Sequence, residues 1–309
     1  MFAPLRGFPT PSSPGLLAVA GGLLLAGLAP VAAEAQAVQL RYQFPDGMDL
    51  RYEMVQRSST SLPGGMGDMV QTLRQELRMQ VVERVEPDAA LVRSTVEAIR
   101  MELVSAMGNQ TYDSSEGGTP ADPALRPLAA MVGMASEAVL GTDGRVIEAG
   151  DLSEVLERMG EEVDPEIAAQ LEAFMGAEAV ENLFAQNFQA FPADAVSPGE
   201  SWNHSMSLPA PGLGTLETRF VHTLERVEDR GGVQVAHVAI SGTMGGLQPD
   251  PDSPMAGMMQ FEGGDMSGRM EFDLTNGRIL ESVVTTLMSM GVMGQTMASE
   301  TEVTLRLVN

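Results

Sequence analysis

The sequence predicts a mostly β fold with a central helical segment, an α+β arrangement. Two related antiparallel meanders are expected to form a curved sheet or half-barrel, with helices packed over its apolar face. Three observations carry this expectation. Long stretches on both sides of the chain's middle alternate apolar and polar residues with period two. Turn dipeptides, above all Asp143-Gly144 and Asn276-Gly277, punctuate them as hairpins do. Between the two blocks, Asp151 to Phe191 switches to helical spacing.

Val38 to Phe44 (VQLRYQF) reads as a short strand, closed by the turn residues Pro45-Asp46-Gly47. Met48 to Thr60 alternates, with Leu50, Tyr52 and Met54 on one side. The clearest strand is Met69 to Val85, where Met69, Leu73, Leu77, Met79 and Val81 oppose Arg74, Glu76, Arg78 and Gln80. In the next strand, Ala90 to Leu103, the apolar phase slips by one residue, which predicts a β-bulge near Ala98. Gly108 to Pro127 reads as a loop, Leu128 to Met134 is ambiguous, and Ala138 to Glu148 is a hairpin.

Two or three short helices are then expected. Asp151 is a candidate N-cap with Glu154 three residues on, and Asp164-Pro165 restarts a helix after Gly160. Leu156, Ile167, Leu171, Phe174, Leu183 and Phe184 form the stripe expected to face the sheet.

The second block begins near Pro192 and holds the only tryptophan, Trp202. Leu216, Phe220 and Leu224 alternate with polar residues, and Val233 to Ile240 is apolar on both phases, as in a strand covered on both faces. Gly245 to Gly264 reads as a loop. Met270, Phe272 and Leu274 point inward before the Asn276-Gly277 turn, and Met297 to Val308 closes the chain.

Three landmarks occur twice in the same order. Glu83-Arg84-Val85-Glu86 returns as Glu225-Arg226-Val227-Glu228. Asp143-Gly144-Arg145-Val146-Ile147-Glu148 returns as Asn276-Gly277-Arg278-Ile279-Leu280-Glu281. Pro45-Asp46-Gly47, ahead of Tyr52, returns as Ser197-Pro198-Gly199, ahead of Trp202. The expected organisation is a signal peptide at 1–37, a first β repeat at 38–150, a helical connector at 151–192 and a second β repeat at 193–309.

The leader has one positive charge, Arg6, then an apolar run from Gly15 to Ala33 and the small-x-small site Ala35-Gln36-Ala37. The run is close to the ~20 residues that span a bilayer, so an uncleaved anchor is the alternative. The Ala-rich end and the polar sequence after it favour cleavage, with no later membrane span and a periplasmic or secreted address.

The formal net charge is −24, and every one of the 18 basic residues is arginine. Arg6 and Glu34 cancel, so loss of the leader leaves that charge unchanged. Such a field repels phosphate backbones, which excludes nucleic acid as an expected partner. The acidity itself fits solubility, in an ordinary or a saline medium alike. With no cysteine, neither disulfides nor thiol chemistry is available.

No catalytic, cofactor-binding or metal-binding residues are expected, and the protein is read as a non-enzyme. The three histidines, His204, His222 and His237, lie in strand-like sequence without a nucleophile elbow around Ser201 or Ser205. Asp250, Asp252 and Asp265 match no defined calcium loop. The 23 methionines, clustered at 255–270 and 288–297, fit a pliable apolar surface better than a Cu(I) site.

The Tyr/Phe-x-x-Gly start, the D-G-R-V hairpin and the segment from Phe191 to Trp202 (F-P-x-x-x-V-x-P-G-E-S-W) resemble an uncharacterised family of exported bacterial proteins. That resemblance implies no activity. At fold level the plan is similar to periplasmic lipoprotein-carrier (LolA-like) proteins, which implies a curved sheet over a hydrophobic face. The resulting expectation is an exported, non-enzymatic cell-envelope protein that binds a lipid, lipidated chain or other apolar ligand. Its lining would be Leu156, Ile167, Leu171, Phe174, Leu183, Phe184, Met270 and Phe272. The alternative is a structural or protein-interaction module without a small ligand; a Met-based copper binder or a hydrolase ranks below both.

Overall fold

The computed structural model describes residues 36–62, 67–106, 108–118, 120, 122, 125–150, 181, 184, 187–210, 214–249, 259–292 and 295–308. Ala35–Asn309 forms one compact unit. Twelve strands follow one another: β1 (Asp49–Ser61), β2 (Asp68–Glu86), β3 (Ala89–Ser105), β4 (Gly108–Asp113), β5 (Ala135–Gly141), β6 (Val146–Ala149), β7 (Ser201–Ala210), β8 (Gly214–Arg230), β9 (Val233–Pro249), β10 (Met259–Asp273), β11 (Arg278–Val292) and β12 (Gln295–Leu307). The described helical elements are α1 (Arg126–Met131) and a 3-10 turn at Ser114–Glu116.

All twelve strands belong to one sheet, in the order β6-β5-β3-β2-β1-β12-β11-β10-β9-β8-β7, with β4 also paired to β3. Every strand pair is antiparallel. The strand numbers descend across the sheet, so the first and last strands are central neighbours and β6 and β7 end the order.

This corrects the expected fold class. The two blocks are halves of one open sheet, joined where Tyr52 pairs with Leu307 and Ser58 with Thr301. No central helical segment is an element of the described fold. The stripe residues Leu156, Ile167, Leu171, Phe174 and Leu183 lie outside the described residues. Among the described residues, two pieces of chain cover the apolar face, 38–44 and 187–196, with the buried Phe184 just ahead of the second.

The first piece keeps the alternation read from its sequence: Leu40, Tyr42 and Phe44 are buried between Arg41 and Gln43. It nevertheless joins the sheet nowhere. Its backbone donors are spent on turns instead, Tyr42 N–H on Thr142 O (2.7 Å) and Gln43 N–H on Gly277 O (3.0 Å). Val38 and Val196 form an isolated antiparallel bridge between the two pieces. Arg41 binds them further, donating to Pro192 O and Ala193 O at 2.6 Å each.

The Asp143-Gly144 and Asn276-Gly277 turns both meet these covering pieces, together a strap, through glycine. Gly144 has φ 82° and Gly277 φ 60°, the left-handed region that favours glycine. A Cβ on Gly277 would sit 2.4 Å from Gln43 N, and one on Gly144 2.3 Å from Gln189 O.

Aromatic rings fill the space beneath. Tyr42 lies 5.1 Å from Phe188, 5.0 Å from Phe191 and 5.3 Å from Phe272, centroid to centroid. Its hydroxyl accepts a hydrogen bond from Gln189 N at 2.9 Å. The bulge expected near Ala98 occurs at Glu97, which is skipped where Glu76 pairs with Ala98 and Leu77 with Val96.

Candidate functional site

The strand registers sort the inward face into cross-strand rows. Nearest the strap, the row through Leu224, Val238, Met270, Ser282, Leu305 and Met54 belongs to the packed core or lines it. Two residues further along each strand lie Trp202, His222, Ile240, Gly268, Val284 and Val303. The next row reads His204, Phe220, Gly242, Met266, Thr286, Thr301 and Ser58. Beyond it come Met206, Thr218, Met244, Gly264, Met288, Ser299 and Thr60. The face thus passes from a dense aromatic and aliphatic core to methionine, small residues and hydroxyls.

In this outer half Met69, Met206, Met244, Met288, Met290 and Met297 are only partly buried. The hydroxyls between them pair across strands: Ser58 Oγ lies 3.0 Å from Thr301 Oγ1, and Thr60 Oγ1 lies 3.2 Å from Ser299 Oγ. Such a surface is apolar and deformable, because methionine is unbranched and its hydroxyl neighbours satisfy one another.

Two polar atoms on β8 differ. Thr218 and His222 are both 0 % exposed, and Thr218 Oγ1 and His222 Nδ1 have no hydrogen-bond partner. The other ring nitrogen, Nε2, lies 3.0 Å from Gln189 Oε1. The imidazole stacks on Trp202 with centroids 5.3 Å apart, and His204 stacks on Phe220 at 6.2 Å. Burial, with a smaller contribution from His204, pushes the His222 pKa down to about 4, so the ring is neutral at pH 7. Burial moves His204 in the same direction.

His237 lies on the opposite face in a network of charges. Its Nε2 is 2.9 Å from Glu228 and its Nδ1 is 3.5 Å from Glu271, with Arg226 3.2 Å from Nδ1. Arg230 holds Glu271 with two hydrogen bonds and keeps that carboxylate's pKa below its ordinary value. Similar pairs cross the sheet at Arg51–Glu97, Arg74–Glu53, Arg93–Glu137 and Arg306–Glu281. They use the arginines as cross-strand partners for carboxylates.

Two open clefts lie on the sheet. One, of 630 Å³, runs between Arg74, Arg100 and Tyr112 on one side and Glu116, Pro120 and Leu125 on the other. The other, of 820 Å³, crosses β9 to β12 and β1 over Ser59, Gly263, Leu287 and Ser289.

Of the residues expected to line a ligand site, Phe184, Met270 and Phe272 are described, and all three lie in the packed core at 0–1 % exposure. Phe272 meets Phe191 at 4.8 Å, and the nearby void beside Tyr42 is only 20 Å³, room for no more than a water molecule. Reading the sequence missed Thr218 and the Ser58–Thr301 and Thr60–Ser299 pairs. Their signal was present as hydroxyl residues in the apolar phase of otherwise alternating strands. Among the described residues no group of three or more acidic or histidine side chains is arranged to hold a metal ion. Among the same residues no helix is long and apolar enough to cross a membrane.

No curated protein matches the sequence. Among solved structures the chain is similar to lipovitellin, described under the words "lipid-protein interactions in lipovitellin", at 12% identity and a TM-score of 0.47. That likeness covers 86% of this chain, which spans 26% of the lipovitellin chain. The chain is also similar to DynF from the dynemicin biosynthesis pathway of Micromonospora chersina, at 10% identity and a TM-score of 0.20, over 91% of this chain and 89% of that one. Both likenesses are too loose to carry function. A family model matches residues 89–279, from β3 through the β10–β11 hairpin, and the chain belongs to that family, a family of unknown function (DUF6263).

Proposed function

We propose that this is an exported, non-enzymatic protein of the cell envelope that holds an apolar ligand, a lipid or lipidated chain, on the methionine-bearing half of its inward sheet face. One observation carries the reading. The face that is tightly packed beneath the strap continues, in the same register, into rows of partly buried methionines separated by self-paired hydroxyls. A row of flexible thioethers adapts to varied apolar shapes at little conformational cost. Export is supported by the leader's layout, a charged start, an apolar run and a small-residue cleavage site.

Native mass spectrometry after gentle purification tests the reading, together with displacement of an apolar dye by lipids. The expected result is a co-purifying lipid mass and saturable displacement. Bare protein in the spectrum with no displacement by any lipid overturns it.

A further inference from the structure

Resting on that reading, we infer that the ligand is an uncharged amphiphile with a free hydroxyl in its head, and that His222 Nδ1 on β8 anchors that hydroxyl. His222 is fully enclosed and Nδ1 has no hydrogen-bond partner, although buried polar atoms in native proteins are nearly always paired. The ring cannot turn away to find one. Its other nitrogen is held at 3.0 Å by Gln189, and its plane stacks on Trp202 at an angle of 12°. The orphan atom therefore sits on the same inward face, enclosed one row nearer the core than Met266 and Phe220, so a head group reaches it only by entering beneath the surface on which the hydrocarbon chain lies.

The chemistry of the head follows from three facts. Gln189 can present its oxygen or, turned over, its amide nitrogen to Nε2, which makes Nδ1 an acceptor or a donor respectively. A hydroxyl satisfies either. The imidazole is neutral at pH 7, because burial lowers its pKa to about 4, so it supplies no charge to an anionic head. The chain's net charge of −24 further disfavours carboxylate and phosphate heads.

Thr218 Oγ1 is the second orphan, four residues away on the same strand, about 14 Å at ~3.4 Å per residue. One hydroxyl cannot reach both, so the head is assigned to His222.

The test uses the delipidated protein and its only tryptophan, Trp202, whose ring lies against His222. Its emission is followed while 1-monooleoylglycerol, methyl oleate and oleate are delivered from cyclodextrin. Monooleoylglycerol is expected to bind about tenfold more tightly than either of the others, the value of one hydrogen bond to a buried neutral group. His222→Phe keeps the ring and should bring the three affinities together, whereas Thr218→Val should leave the ranking intact. Equal affinities in the unmodified protein overturn the inference while leaving the apolar-ligand reading standing. An unchanged ranking in His222→Phe does the same. No binding of any of the three removes both. The unmodified protein's ranking decides the matter even if His222→Phe fails to fold.

Discussion

Replacing Tyr42 with alanine should remove the keystone of the strap. The ring is 3 % exposed and touches Phe44, Phe188, Phe191 and Phe272, which come from three separate parts of the chain. Deleting a buried aromatic side chain costs about 3–5 kcal/mol through lost burial and the cavity left behind. The same change orphans Gln189 N–H, whose acceptor is the Tyr42 hydroxyl, at about 1–3 kcal/mol more. A loss of about 4–8 kcal/mol is therefore expected, against a total stability of about 5–15 kcal/mol for a typical protein. Tyr42→Phe separates the parts, since it keeps the ring and should cost only the hydrogen-bond share. Urea unfolding followed by Trp202 emission measures both, with the midpoint falling at constant slope. Leu287→Ala is the control, because Leu287 is 52 % exposed and should change stability by no more than about 0.5 kcal/mol. If Tyr42→Ala costs no more than that control, the strap does not hold the sheet face and the account of the core is wrong.

Further outcomes follow from other positions. Gly277→Val places a branched side chain at φ 60°, with its Cβ 2.4 Å from Gln43 N, and should cost about 3 kcal/mol or more by the same unfolding assay. Asp273 is 1 % exposed and accepts from Thr275 N, Asn276 N and Asn276 Nδ2. Asp273→Ala should cost about 2–4 kcal/mol, whereas Asp273→Asn should recover part of this by keeping one acceptor oxygen. For His222, the folded pKa near 4 lies below the ordinary 6.5, so the unfolded chain takes up its proton first. Stability should therefore be full above pH 6.5 and fall by up to about 3 kcal/mol as pH drops to 4. His222→Phe should flatten that limb in unfolding midpoints measured from pH 7 to 4; an unchanged limb would mean that another group is responsible. Glu271, whose pKa is lowered chiefly by its hydrogen bonds from Arg230, stabilises the fold fully above the ordinary glutamate value of 4.5 and loses that contribution as pH falls below it, so it adds only to the acid end of the limb.

Individual strands were legible because alternation depends only on a strand's own two faces. Met69 to Val85 was read almost to its observed limits of Asp68–Glu86, and the bulge beside Ala98 announced itself as a slip of phase. Partner choice was not legible, since alternation says nothing about which edge meets which. Tyr52–Leu307 and Ser58–Thr301 are ordinary pairs between ordinary strands, yet they turn two expected meanders into one sheet. The strap shows the same limit from the other side. Leu40, Tyr42 and Phe44 alternate as a strand does, but the backbone N–H groups of Tyr42 and Gln43 go to the Thr142 and Gly277 carbonyls rather than to a strand partner. Gly245 to Gly264 misled for a different reason. Its glycines and prolines read as loop, while β9 continues to Pro249 and β10 begins at Met259. Glycines at 242, 264 and 268 are accommodated within the sheet because a Cβ there would press on a neighbouring backbone carbonyl 2.3–2.9 Å away.

The candidate site was half visible for a related reason. Methionine abundance could be counted, but whether those residues fill a core or face open space depends on the register. The hydroxyl rows sharpen the point. A serine or threonine in an apolar phase is costly when buried alone, and Ser58, Thr60, Ser299 and Thr301 avoid that cost by pairing across the β1–β12 junction. These pairs make that part of the face indifferent to what lies on it, which suits a variable hydrocarbon chain. Thr218 and His222 break the pattern, since their orphan atoms are buried without such relief. A face that neutralises its own polar groups in one region and leaves them unpaired in another can accept many apolar chains while discriminating among head groups. If the proposed ligand binds there, specificity lies with His222 on β8 rather than with the methionines, and substituting single methionines should weaken monooleoylglycerol, methyl oleate and oleate alike.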